Sequence, residues 1–143
     1  ADWWGFKHEA YDMSIANIAI VDQARGGTGC AIVHSDSASG IQRLNQEAAK
    51  ALAAGRRAGF DISEGRAMTW ITKNPAKSLG ILDQTGTLEQ GKDADLVIWS
   101  GNPFSVYTKA EQVYIDGALT FDKATNFMPH TDFDLGIKEW EDK

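Results

Sequence analysis

Apolar side chains spaced three and four residues apart predict two helices in the first half of the chain. Residues 15–23 contain neither Gly nor Pro, and their helical spacing runs up to Gly26-Gly27. Ser39, followed three residues later by Gln42, fits a capping box at the start of a second helix. That helix is predicted from the apolar stripe of Ile41, Leu44, Ala48, Ala51, Leu52 and Ala58.

Two shorter helices follow, and each has its own start signal. Ser63 is a preferred N-cap residue and predicts a helix that runs to Trp70. Asn74-Pro75 places an N-cap residue before a proline at the first helical position. Gly80 can end the helix that this pair opens.

A short apolar run at residues 30–33 predicts a fully buried strand, of the kind that parallel sheets contain. It is bounded by Gly29 and by Ser35-Asp36-Ser37. Cys30 is the only cysteine, so an intrachain disulfide is impossible. Its thiol is expected to pack as a small buried hydrophobe.

After residue 83 the pattern changes to short strands separated by glycines. The strands are predicted at residues 85–88, 94–99, 113–115 and 118–121. Asp116-Gly117, between the last two, is a strong hairpin signal because both turn positions need a positive φ. The tail from Asp122 is acidic, aromatic and aperiodic, and its function cannot be inferred from the sequence.

The order helix, strand, helix, helix is typical of an α/β barrel near its end. A complete barrel of this kind needs roughly 250 residues. A chain of 143 residues with barrel features is therefore expected to be a piece of a larger protein.

Composition and charge narrow the class of protein. Hydrophobic residues make up 43% and charged residues 24% of the chain, as in globular proteins. The net charge of −6 argues against nucleic acid as a partner, because nucleic-acid binding normally needs a clustered basic surface. The nearest approach to such a cluster is the pair Arg56-Arg57. No apolar run is long enough to cross a membrane, and the first residues do not resemble a signal peptide. We expect a soluble protein, with the choice between cytoplasm and bacterial periplasm left open.

The principal candidate for chemistry is Asp36, because it directly follows the predicted strand and barrel active sites lie at the C-terminal ends of strands. The alternative is that Asp36 is a turn or cap residue. His34 could bind a metal ion or orient Asp36, or could be structural. Ser35 and Ser37 are most simply caps, or donors of hydrogen bonds to the residues that bind a ligand.

An aromatic and cationic loop at the start of the chain is a second candidate. Trp3, Trp4 and Lys7 could close over a ligand, or the aromatic residues could pack at an edge of the protein. The sequence contains no complete metal-binding constellation, no phosphate-binding glycine loop and no Gly-x-Ser-x-Gly nucleophile. Judged by these residues alone, the chain contains only part of a catalytic site.

Two segments resemble the C-terminal hallmark of the amidohydrolase superfamily. They are Asn74-Pro75-Ala76-Lys77-Ser78-Leu79-Gly80-Ile81 and the run Gly86-Thr87-Leu88-Glu89-Gln90-Gly91-Lys92-Asp93-Ala94-Asp95-Leu96-Val97-Ile98-Trp99. Ser35-Asp36-Ser37 is similar to the motif after the eighth strand in the imidazolonepropionase-like and prolidase-like members.

The resemblance implies the α/β fold class: the C-terminal portion of a (β/α)8 TIM-type barrel, followed by strands of a small β-sandwich. We therefore expect the end of a metal-dependent hydrolase barrel at residues 1–83. Sandwich strands are expected at residues 84–121 and a C-terminal tail at residues 122–143.

The resemblance also implies the function. Asp36 would be a metal ligand and a catalytic residue, with His34, Ser37, Trp4 and Lys7 binding a small-molecule substrate. The cofactor would be one or two divalent metal ions, usually zinc, and the reaction hydrolysis of a C–N bond in a cyclic amide or dipeptide.

The family's other metal-binding residues have no counterpart in this chain. They are expected on a preceding N-terminal segment or chain, and the assembled enzyme is expected to be a homo-oligomer. The alternative is a non-catalytic structural or binding subunit that completes a partner's barrel.

Overall fold

The computed structural model describes residues 7–126. Two 3-10 turns lie at His8–Ala10 and Ile41–Arg43. The α-helices are α1 (Asn17–Gly27), α2 (Leu44–Arg57), α3 (Glu64–Thr69), α4 (Lys73–Leu79) and α5 (Lys123–Asn126). The strands are β1 (Leu96–Trp99), β2 (Ala110–Ile115) and β3 (Ala118–Asp122).

Helices α1 and α2 pack closely together and bring α3 onto the same core. A Cβ atom on Gly55 would lie 2.5 Å from the Cβ of Ala19, so the two helices approach each other at a residue without a side chain. Trp70 and Ile62 are the largest apolar side chains that are fully buried. The core consists of Ala19, Ala31, Ala48, Leu52, Ile62, Ala67 and Trp70.

The end of α1 is irregular. Ala24 leaves the helical conformation, and Arg25 and Gly26 have positive φ values of 53° and 72°. The chain therefore turns at the glycine pair, as the sequence predicted, and enters residues 28–34 without regular structure.

The prediction of a buried strand at residues 30–33 is wrong for the described structure. These residues form neither a helix nor a strand, and Cys30 is exposed and not buried. A strand needs a neighbour that completes its hydrogen bonds, and no strand of residues 7–126 lies beside this segment. Its contacts come instead from α3, α4 and the residues that join them.

The predicted helix starts were right at one position and wrong at two. The Ser63 side chain accepts a hydrogen bond from the Arg66 backbone N–H at 3.1 Å, which confirms the cap of α3. The capping box at Ser39 does not form, because the Gln42 side chain donates to the Ser39 carbonyl instead. Asn74 lies inside α4 and not at its N-cap, since its amide binds the Ala31 carbonyl.

The predicted ends of α4 and of the hairpin are confirmed. Gly80 ends α4 with a φ of 76°, a left-handed conformation that glycine adopts without strain. Asp116 and Gly117 have φ values of 51° and 76° and join β2 to β3, as a two-residue hairpin turn requires.

The three strands form one antiparallel sheet in the order β1-β2-β3. In the register, Leu96 lies opposite Tyr114, and Ile115 lies opposite Ala118. The strand predicted at residues 85–88 is absent, because this segment forms bends and turns.

Apolar side chains of the sheet remain accessible. Val97 and Ile98, which are neighbours on β1, are 40% and 45% exposed. Successive side chains of a strand point to opposite faces, so neither face of β1 is fully covered by the described residues. Leu119 on β3 is also 48% exposed.

One loop connects the sheet to the helices. The Asn45 side chain donates to the Pro103 carbonyl, and Asn102 donates to Glu64. Phe104 packs against the helical core. The chain is thus a mixed α and β structure, while the barrel, the sandwich and the boundary at residue 83 remain predictions.

None of the helices within residues 7–126 combines the length and the apolar character that a membrane span requires.

Candidate functional site

The predicted site lies where the segment after α1 ends. His34 and Asp36 are exposed, and the chain bends at Asp36 and Ser37 before the turn that leads to Ile41–Arg43. Both side chains are therefore accessible to a ligand.

The two serines, and not Asp36, form the hydrogen bonds of this turn. The Ser35 hydroxyl donates to the Ser37 carbonyl at 2.6 Å and accepts from the Ser37 N–H at 3.0 Å. The Ser37 hydroxyl accepts from the Gly40 N–H at 3.3 Å and contacts the Ser39 hydroxyl at 2.9 Å. The serines act as local caps, as one of the two sequence interpretations had them.

The Asp36 carboxylate accepts no hydrogen bond and forms no ion pair with any residue of 7–126. An aspartate that caps a turn would accept backbone N–H groups. The Asp36 side chain therefore caps no backbone N–H among residues 7–126, although its backbone lies at the bend, and the choice between a catalytic and a turn residue stays open. Asp36 keeps both carboxylate oxygens available for a ligand.

An open groove of about 830 Å³ brings four of the predicted site residues together. Lys7, His34, Asp36 and Ser37 all line it. Trp4, the fifth, lies outside the described residues, as does Trp3. The roles of these side chains stay predictions.

The remaining wall of the groove is partly charged and partly apolar. Glu47, Lys50 and Arg57 of α2 line one side, and Lys50 forms an ion pair with Glu47 at 2.7 Å. The apolar lining includes Ile18 and Val33. Arg56 does not line it, because its guanidinium donates to the Ile62 carbonyl at 3.0 Å.

The described residues offer an incomplete set of metal ligands. Residues 7–126 contain no group of three or more His, Cys, Asp or Glu side chains that could hold a metal ion. Catalytic zinc sites usually have three protein ligands. Asp36 fits the requirement for an anionic oxygen ligand, but this part of the chain alone cannot complete a site.

A buried network near the site was missed by the sequence analysis. Asp22 is fully buried, and its carboxylate accepts hydrogen bonds from Arg66 at 2.8 Å and from the Trp70 indole at 2.7 Å. Asp22 falls at helical spacing on the apolar stretch of α1. A charged residue on an apolar helix face was the sequence signal that could have indicated a buried, paired carboxylate.

Comparison with known proteins identifies the family of this chain. The sequence profile of the amidohydrolase family matches residues 21–128. The chain belongs to this family. The resemblance of its two C-terminal segments to the superfamily is confirmed, and among family members it is imidazolonepropionase-like.

Individual relatives share a short but similar segment. Imidazolonepropionase of Brucella anthropi is 47% identical over 55 residues, which are 38% of this chain and 12% of that protein. Imidazolonepropionase of Mesorhizobium japonicum is 42% identical over 55 residues, with the same coverage of 38% and 12%. Amidohydrolase tasK of Hapsidospora irregularis is 39% identical over 56 residues, or 39% of this chain and 6% of that protein.

A solved structure matches more of the chain. The crystal structure of an amidohydrolase from Thermotoga maritima MSB8 superposes with a TM-score of 0.68 and 35% sequence identity. The match covers 82% of this chain and 28% of that one. The chain thus spans only a small part of the length of the relatives that it matches.

Proposed function

We propose that this chain supplies the C-terminal part of a metal-dependent hydrolase that cleaves an amide-type C–N bond. The observation that carries the proposal is the Asp36 carboxylate, which is exposed in the groove without a hydrogen-bond partner among residues 7–126. Membership of the amidohydrolase family supports the reaction class. The substrate would be a small cyclic amide or a dipeptide.

Asp36 would act as a metal ligand and as a proton carrier. A divalent ion, usually zinc in this family and present once or twice, would polarise the substrate carbonyl and lower the pKa of a water molecule. A carboxylate suits the neighbouring position because it can accept the water's proton and deliver it to the departing nitrogen. The proposal is supported by the Asp36 carboxylate having no hydrogen bond or ion pair with residues 7–126.

The other predicted site residues would bind the substrate. His34 is exposed beside Asp36, and Lys7 lines the same groove. Lys7 would pair with a substrate carboxylate, and Trp4, outside the described residues, stays a predicted substrate contact. Ser37 already holds the Gly40 N–H, so it would contact a ligand through its remaining hydrogen-bonding capacity.

The missing ligands would come from an N-terminal segment or partner chain. Residues 30–33 are a segment without a neighbouring strand among residues 7–126, and the sheet exposes Val97 and Ile98. A preceding segment that added strands beside residues 30–33 would complete the barrel and cover apolar surface. The assembled enzyme would then form a homo-oligomer.

Asp36→Asn in the full-length protein tests the proposal, with Asp83→Asn as a control at another exposed aspartate. Asparagine preserves shape but removes the charge and the proton-accepting oxygen. We expect Asp36→Asn to fold normally and to lose about 10²–10⁴-fold in turnover of cyclic amides or dipeptides, with a changed metal content.

Asp83→Asn should behave as the unmodified protein. If Asp36→Asn keeps more than about a tenth of the activity, the loss is far below what acid–base catalysis requires. The transferred mechanism would then be wrong, and a structural role for the chain would replace it.

A further inference from the structure

Three hydrogen bonds hold one edge of the segment that leads to Asp36. The Arg66 guanidinium donates to the Gly29 carbonyl at 3.0 Å, and the Asn74 amide donates to the Ala31 carbonyl at 2.7 Å. The Val33 N–H donates to the Trp70 carbonyl at 3.0 Å. These contacts fall on residues 29, 31 and 33, and alternate residues of an extended chain direct their backbone groups to the same side.

Two of these three contacts depend on residues that meet at Asp22. Arg66 donates through Nε to both carboxylate oxygens of Asp22, at 2.8 and 3.1 Å. Trp70 donates its indole N–H to the same carboxylate. Arg66 and Trp70 thus each touch Asp22 with one group and the segment with another.

The base of the segment is held by the same network. Arg66 also donates to the Gly27 carbonyl at 2.9 Å, and the Gly29 N–H donates to the Asp22 carbonyl at 3.1 Å. A Cβ atom on Gly29 would overlap with backbone atoms of Val21 and Asp22. The chain therefore leaves α1 in direct contact with the residue that anchors Arg66 and Trp70.

Burying the Asp22 carboxylate costs free energy, although its partner Arg66 is partly exposed. Asp22 is fully buried, and burying a charge is tolerated only when the charge is paired and hydrogen-bonded. Apolar side chains of similar volume often stabilise a core as well or better. What apolar side chains cannot do is bind the carbonyls of Gly27 and Gly29 at fixed positions.

We propose that Asp22, acting through Arg66 and Trp70, is a positioning residue that fixes Asp36 relative to the groove. The inference rests on the proposed function for its effect on turnover. Asp22 is fully buried and does not line the groove, so it would act on the site only through other residues. Through Arg66 and Trp70 it fixes the position of residues 29–33. Since Asp36 follows Val33 by three residues, the position of Asp36 depends on these contacts.

Two variants of the full-length protein test the network. One removes the charge of Asp22, and the other removes a single hydrogen bond to it. Asp22→Asn keeps the shape of the side chain and removes the charge that pairs with Arg66. Trp70→Phe keeps a buried aromatic ring and removes only the N–H that binds Asp22. Trp70→Phe also keeps the test valid should Asp22→Asn not fold.

Lys92→Met is the control because it removes a partly buried cation elsewhere. The Lys92 ammonium binds the Leu82 carbonyl and the Thr87 hydroxyl, and Lys92 does not line the groove. It therefore lowers stability without touching the segment before Asp36.

Three quantities are measured for each variant: turnover and KM, the unfolding midpoint, and hydrogen exchange of the Val33 amide. We expect Asp22→Asn to lower turnover by about 10–100-fold, the loss typical of removing a residue that orients a ligand, with a smaller change in KM. Trp70→Phe should show a smaller loss of the same kind. Exchange at Val33 should accelerate in both variants and not in Lys92→Met.

The proposal is overturned if Asp36→Asn is inactive while Asp22→Asn and Trp70→Phe lose no more turnover than Lys92→Met. It is also overturned if the Val33 amide exchanges no faster in these variants than in the control. Activity that survives in Asp36→Asn would instead overturn the proposed function. The exchange measurement would still decide whether Asp22 holds the segment.

Discussion

The indole N–H of Trp70 donates to the buried carboxylate of Asp22 at 2.7 Å, across 48 residues of chain. This contact joins the irregular end of α1 to the residues after α3. Since the Trp70 carbonyl also accepts the Val33 N–H, one tryptophan contacts two elements beside the candidate site. The geometry of the site therefore depends on a residue pair that is distant in sequence.

The packing of α1 on α2 can be tested by replacing each of two glycines with alanine in separate variants. Gly55→Ala places a methyl group against Ala19, and such overpacking costs typically about 1–3 kcal/mol in the free energy of unfolding. Gly65→Ala, in the exposed first turn of α3, meets no atom within 4 Å. It should stabilise α3 by up to roughly 1 kcal/mol because alanine favours the helix.

Urea unfolding of the full-length protein measures both changes. Opposite signs are expected for the same substitution at the two positions. Equal effects would mean that Gly55 does not lie at the closest approach of the helices.

Substrate binding by Lys7 predicts a specific kinetic change. Lys7→Met keeps the length of the side chain but removes the charge that would pair with a substrate carboxylate. We expect KM to rise more than turnover falls, because such a contact is made in both the ground state and the transition state. Lys77→Met, at an exposed position on α4 outside the groove, is the matched control.

Steady-state kinetics on a dipeptide that carries a free carboxylate measures the effect. A Lys7 variant with the same KM as the control would remove this residue from the substrate site.

Local signals in the sequence predicted the parts of the fold that local contacts determine. Ser63 caps α3 through a residue three positions away, and Gly80 and Asp116-Gly117 supply the positive φ values that their turns need. Each of these outcomes depends on a few neighbouring residues, so the sequence was sufficient.

The capping box at Ser39 failed through a local contact of Gln42, but the other failed predictions below involve a distant partner. Asn74 has the local character of an N-cap, but its amide binds the Ala31 carbonyl, 43 residues earlier. Residues 30–33 have the composition of a strand, but a strand forms only beside another strand. Asp22 accepts one hydrogen bond from its neighbour Gln23, but Arg66 and Trp70 lie 44 and 48 residues away, so no short pattern could reveal them.

Four candidate site residues lie together in the structure. The sequence singles out His34, Asp36, Ser37 and Lys7 by type and position, and all four line one groove, while their roles stay predictions. Ser-Asp-Ser alone does not reveal that Ser35 and Ser37 form the turn while the Asp36 carboxylate has no hydrogen-bond partner among residues 7–126.

The last prediction is that the isolated chain does not unfold cooperatively. Residues 30–33 have no neighbouring strand among residues 7–126, and Ile98, Ile115 and Leu119 are 45%, 53% and 48% exposed on a sheet of only three strands. A small domain is stable only when burial of apolar surface exceeds the loss of conformational entropy. In the described residues much of that surface is accessible, and under our proposal a preceding segment would cover it.

Thermal unfolding, together with a dye that binds exposed apolar surface, distinguishes a loosely packed isolated chain from a cooperatively folded one. The isolated 143 residues should melt broadly, aggregate and bind the dye, whereas the full-length protein should melt sharply and bind little. Leu119→Ser tests the cause. It should lower the melting temperature of the full-length protein, where this side chain would be covered, because burying an aliphatic side chain is worth about 1.5–3 kcal/mol. A sharp, reversible transition of the isolated chain would show that the described core is sufficient by itself, and the need for a covering segment would then be refuted.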